Sequence, residues 1–112
     1  MTEQKKQKKE DLIWMDPNSG ERFHAGVAFF VEEFGEYRLI LDAPRTVLYL
    51  KPRDSNGGTI DYVVQAPIDI NGRYSHRVTV GHGTSSDDTN NCVYMKVGRY
   101  MPMRLVLLGE AG

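Results

Sequence analysis

The chain has little of what small proteins most often use to hold themselves together. Among 112 residues there is one cysteine, Cys92, so no internal disulfide can form. That composition fits the cytosol better than a secreted, disulfide-stapled scaffold. Packing must therefore do the work. A chain of this length is the size of one domain and can bury most of its apolar surface without covalent or metal staples. No stretch approaches the roughly 18 consecutive apolar residues of a membrane-spanning helix. The first ten residues are polar where a secretory leader would carry its apolar core. The expectation is a soluble, cytoplasmic protein with no membrane partner.

A large excess of charge of one sign is also missing. There are 14 Lys and Arg against 15 Asp and Glu, for a net charge of −1. A basic body, the usual electrostatic footprint of a nucleic-acid binder, is thus absent. The charge is unevenly spread, however. Lys5, Lys6, Lys8 and Lys9 against Glu3 and Glu10 give the first ten residues +2 and leave −3 for the rest. Also lacking are an internal repeat and any sustained 3.6-residue hydrophobic period, which argues against a helix of ordinary length.

What the chain does contain is the texture of strands. Residues 1–11 read as a polar, lysine-rich tail, disordered or forming a short helix. From Leu12 to residue 112, short runs rich in Val, Ile, Tyr and Phe alternate with clusters of Gly, Pro, Asn, Asp and Ser at roughly ten-residue spacing. Asp16-Pro17-Asn18-Ser19-Gly20 combines a fixed φ, side chains that close local hydrogen bonds, and a glycine that accepts positive φ. Asn71-Gly72 is the strongest hairpin signal, because a type I′ turn matches the twist of two antiparallel strands. Pro67 before it implies an edge or a bulge. From Arg73 to Val80 the alternation is clean, with Tyr74, His76, Val78 and Val80 on one face and Arg73, Ser75, Arg77 and Thr79 on the other. Residues 81–91 read as a polar loop and Ser55-Asn56-Gly57-Gly58 as an open one. Met103–Leu108, apolar at nearly every position, reads as a buried final strand. The fold class expected is all-β: a single-domain antiparallel sandwich or small barrel of seven to eight short strands, an OB-like barrel being one member of that class.

Chemistry is harder to find. Gly81-His82-Gly83-Thr84-Ser85-Ser86 could present backbone N–H groups to a phosphate, but no helix follows and Asp87-Asp88 would repel the anion. His76, His82, Asp87, Asp88 and Cys92 are ligand types without a recognised metal spacing. Cys92 opens an apolar run, where cysteine behaves as a small hydrophobe, and lacks electropositive neighbours. No serine lies in a nucleophile-elbow pattern. The reading is a non-enzymatic protein with no catalytic residues, no metal site and no cofactor.

Two kinds of partner remain. Aromatic rings interleaved with cations suit single-stranded nucleic acid, where rings stack on bases and cations meet phosphates. Lys5, Lys6, Lys8, Lys9, Arg73, Tyr74, Arg77 and Arg99 are the candidate nucleic-acid-binding residues. Other interleaved pairs are Tyr37 with Arg38, Tyr49 with Lys51, Tyr94 with Lys96 and Arg99 with Tyr100. The alternative is a protein-interaction or self-assembling module, a homo-oligomer, small adaptor or inhibitor, docking through exposed tyrosines and methionines.

Overall fold

The computed structural model describes residues 9–42, 45–70, 73–86 and 92–108, with side chains throughout except at 56, 69–70, 73–75 and 86. Eight strands follow one another: β1 (Lys9–Met15), β2 (Arg22–Val31), β3 (Glu36–Asp42), β4 (Arg45–Asn56), β5 (Thr59–Ile70), β6 (Arg73–Ser86), β7 (Val93–Val97) and β8 (Arg104–Leu107). Each pairs antiparallel with the next, and β8 pairs with β1, so the sheet closes on itself as an up-and-down barrel. Of the architectures the sequence allowed, the barrel is the one formed. The described residues hold no helix long and apolar enough to cross a membrane.

Period-two alternation produces the core. Leu12 and Trp14, Leu39 and Leu41, Leu48 and Leu50, Tyr62 and Val64, then Val93, Met95 and Val97, and finally Leu105 and Leu107 all point inward and are buried. Burying one such side chain contributes about 1.5–3 kcal/mol. The inward positions of β2 and β6 are small instead: Ala25, Gly26 and Ala28, and Gly81 and Gly83. A Cβ on Gly26 would lie 2.0 Å from the Ile40 carbonyl oxygen, and one on Gly81 would lie 2.1 Å from that of Lys96. Backbone thus approaches backbone at these points, and the large residues of the other strands fill the interior, as small closed barrels require.

Two rims result. One carries the 16–21 turn and the corner of residues 98–103, which contains a 3-10 turn at Gly98–Tyr100. Here Trp14 meets Tyr100 edge-on at 5.2 Å between ring centroids. The far rim carries the turns at 32–35 and 57–58. There Phe30 meets Tyr37 edge-on at 5.0 Å. Burial pushes the Tyr37 hydroxyl from its usual 10 up to about 12, with Glu10 and Tyr62 adding to the effect.

Beyond Gln65 on β5 and before Gly81 on β6, the two strands pair only with each other among the described residues. Register shifts at Val64/Gln65 and Ile68/Asp69 interrupt the ladder of this arm. Pro67 lies in the arm, at the kind of edge its missing N–H requires. A cross-sheet contact holds the arm in place. One terminal nitrogen of Arg77 donates to both carboxylate oxygens of Glu36, at 2.9 and 2.6 Å, and its guanidinium lies 3.7 Å above the centre of the Tyr49 ring.

The element boundaries depart from the sequence reading in three places. β1 begins at Lys9, inside the stretch read as a tail, because Lys9, Glu10 and Asp11 find partners in Phe29, Ala28 and Val27. β6 runs on to Ser86, where a loop was expected from Gly81. Its glycines occur there because β7 packs close, and no turn interrupts the strand. The open loop at 55–58 is a tight turn at Gly57-Gly58, both with positive φ, with Asn56 paired to Thr59. Asn71-Gly72 lies outside the described residues, but its flanks Ile70 and Arg73 are paired.

Candidate nucleic-acid interface

Because the interior is filled by its own side chains, chemistry available to a partner lies on outward positions. Cross-strand register places these in rows around the barrel, with neighbouring strands about 4.8 Å apart. One row begins at Lys51 on β4 and continues through Val63, His82, Lys96, Arg104 and Met15 to Arg22 on β2. It contains four permanent cations, one histidine and no carboxylate. Residues 92–108, which form β7, the corner and β8, carry Lys96, Arg99 and Arg104 and no Asp or Glu at all. In a chain of net charge −1, acidic residues have been kept off one face.

Apolar and aromatic surface lies beside these cations. Tyr94 stands two residues from Lys96 on the outer face of β7 and is 38 % exposed. Phe23, at the rim beside Arg22, and Met101, at the corner between Arg99 and Arg104, are more than half exposed. The Arg104 guanidinium donates to the Pro102 carbonyl oxygen, which turns it toward that corner. Tyr100 is half-buried against Trp14, while Arg99 next to it is exposed. An exposed ring flanked by cations is the local arrangement single-strand binders use.

A second row joins Lys9, Phe29, Arg38 and Tyr49 across β1 to β4. Here cation and ring alternate strand by strand, and Arg38 and Lys9 are exposed. Tyr49 is already covered on one face by Arg77.

The residues singled out from sequence are dispersed by this geometry. Lys5, Lys6 and Lys8 lie outside the described residues. Lys9 is exposed near the far rim, whereas Arg99 is at the corner on the opposite rim. Arg73 and Tyr74 sit in the arm, paired with Ile70 and Asp69, and their side chains lie outside the described part. Arg77 is committed to Glu36 and Tyr49. Of those among the eight whose side chains are described, Lys9, Arg77 and Arg99, only Arg99 belongs to the carboxylate-free face. Sequence reasoning noted Lys51 and Lys96 beside tyrosines without making them site residues, and passed over Arg104 and Arg22. The signal for two of them was legible: 17 residues, 92–108, without an acid, and Tyr94 and Lys96 two apart on one strand.

On β4 to β6 carboxylates stand among the cations. A groove of about 410 Å³ is lined by Arg53, Asp54, Asp61, Tyr62, His82 and Thr84, together with Gly83. Among the described residues, no group of three or more His, Cys, Asp and Glu is placed to hold a metal ion. Asp87 and Asp88, raised as ligand types from sequence, lie outside the described residues.

No protein-family model matches the chain. Neither a curated protein nor a solved structure matches it.

Proposed function

We propose that this protein is a non-enzymatic binding module for single-stranded nucleic acid. The interface would be the carboxylate-free outer face of β7, the corner and β8, continued by Lys51 and Arg22. The observation that supports this most directly is the row Lys51, His82, Lys96, Arg104 and Arg22, drawn from five strands without an acidic residue among them. In this reading phosphates meet Lys96, Arg99 and Arg104, and a base stacks on Tyr94.

The test is fluorescence anisotropy with labelled single- and double-stranded oligonucleotides at low and then physiological salt. Binding should prefer single strands and weaken with salt as counterions are released. Lys96→Ala with Arg104→Ala should lower affinity and reduce the salt slope by about 1.4, at about 0.7 per single-strand phosphate contact. No binding at low salt, where phosphate attraction is least screened, would reject the reading. A protein-docking role would then take precedence. Phe34 at 66 %, Met101 at 53 % and Phe23 at 51 % exposure favour that second reading.

A further inference from the structure

Large apolar side chains that remain exposed are not scattered over the barrel. Of the six among the described residues, all but Tyr94 stand at the rims: Phe23 and Met101 at the rim with the corner, Phe30, Phe34 and Ile60 at the far rim. Phe34 is the most exposed of them. It sits in a turn whose backbone closes without help from the ring. The N–H groups of Phe34 and Gly35 donate to the carbonyl oxygens of Val31 and Glu32, and Gly35 has a φ of 61°. The ring is thus a pre-organised knob, flanked by the exposed Glu32 and Glu33. At the opposite rim, Phe23 stands across from Trp14, whose ring meets Tyr100, the neighbour of Met101. Tyr100 and Met103 pack on the core behind these two exposed side chains. The same rim carries Arg22, Arg45, Arg99 and Arg104 against Asp16, Glu21 and Asp42. Two of those acids are engaged, since Asp16 accepts from the Asn18 N–H and Asp42 pairs with His24.

We propose that the Phe34 turn of one copy docks on the Phe23 and Met101 patch of the next, so that the chain assembles head to tail. This rests on the protein-docking reading of those three residues, names the partner, and owes nothing to the single-strand reading. The two rims match in charge as well as in apolar surface. The 32–35 turn holds two carboxylates and no cation, and it meets a rim with four arginines. Pairing either rim with its own copy would set like charges together instead. β2 runs from rim to rim over ten residues, roughly 30 Å at about 3.3 Å per residue, so the knob is out of reach of the patch on its own chain. Because the two surfaces differ, the contact is heterologous, and each added copy leaves one knob and one patch open for the next.

The test is light scattering by the full chain over a range of concentrations at low salt, with no nucleic acid present. The average mass should climb past that of a dimer as concentration rises, and fall when salt is added. Phe34→Ser, in an exposed turn, should weaken association about tenfold or more. A charge exchange then reads the contact itself. Glu32→Lys with Glu33→Lys, and separately Arg22→Glu with Arg99→Glu, should each give a monomer. An equimolar mixture of the two variants should assemble again, because the turn of each then fits the patch of the other. All four positions are exposed, so the fold is kept, and circular dichroism checks it. A natural chain that stays monomeric overturns self-assembly and leaves docking to a different protein standing. A mass that levels off at a dimer overturns the head-to-tail arrangement. A mixture that stays monomeric, or a Phe34→Ser variant that assembles as the natural chain does, overturns the contact.

Discussion

Glu36 begins β3 with only 5 % of its surface exposed, and a carboxylate in that position needs a cation close by. Arg77 supplies it from 41 residues away, and Tyr49 fixes the guanidinium from below. The two halves of this contact are not equivalent. Arg77→Ala leaves a buried carboxylate uncompensated and should cost about 2–3 kcal/mol. Glu36→Ala should cost less, since the Arg77 side chain is 26 % exposed and can turn toward water. Urea unfolding at unchanged m separates the two, and equal losses would remove the argument. Face parity along β6 was legible only in part: Arg77 and Thr79 pair with Pro67 and Gln65, two apart on β5, whereas the register shift at Ile68/Asp69 breaks the expected alternation before Tyr74 and Arg73. What lies opposite a residue three strands away depends on register and bend, which no local pattern encodes. An arginine set aside for a phosphate is for that reason found on a glutamate.

Elements were more legible than contacts, because strands announce themselves by alternation and by turn chemistry within ten residues. The 16–20 turn forms as its residues dictate: Gly20 donates its N–H to the Asp16 carbonyl oxygen, Asn18 N–H donates to the Asp16 carboxylate, and Gly20 has a φ of 76°. Glycine misled where it serves two purposes. Gly81 and Gly83 look like loop residues, yet neither has positive φ, and both lie inside β6 where β7 approaches. The two should respond differently to a methyl group. At Gly81 the obstacle is the Lys96 backbone carbonyl, which cannot yield without moving a strand. At Gly83 the nearest atom is Met95 Cγ at 2.9 Å, on a flexible side chain. Gly81→Ala should destabilise by about 3 kcal/mol or slightly more and Gly83→Ala by about 1 kcal/mol. Chemical denaturation of the two variants checks the order, and the reverse order would refute this account of the glycines.

At the scale of the whole molecule, closure through β1 and β8 makes one contiguous core of the eight strands. Trp14, 8 % exposed, lies within that core. Its fluorescence should therefore follow global unfolding, and its transition in urea should coincide with that of the far-ultraviolet dichroism. Separate midpoints would show that the barrel unfolds in parts. Barrel as against sandwich was undecided in the sequence because closure is a property of strand order. The cationic row escaped notice for the same reason: Lys96 and Arg104 become cross-strand neighbours only when β7 meets β8, and Lys51 and Arg22 join their row only through the strands between them.

The strict division between inward and outward positions bears on how such a protein can change. Every side chain assigned above to a phosphate or to base stacking stands on the outer face or at a rim, and most of the residues that hold the ring together point the other way. Exchanges on the outer rows can therefore alter what the surface recognises with small thermodynamic consequence, since exposed substitutions usually fall within about 0.5 kcal/mol. Selectivity and robustness are then nearly independent variables. A lineage, or an engineer, could drift through many specificities on one unaltered core, without the loss of fold stability that accompanies change in sites cut into an interior.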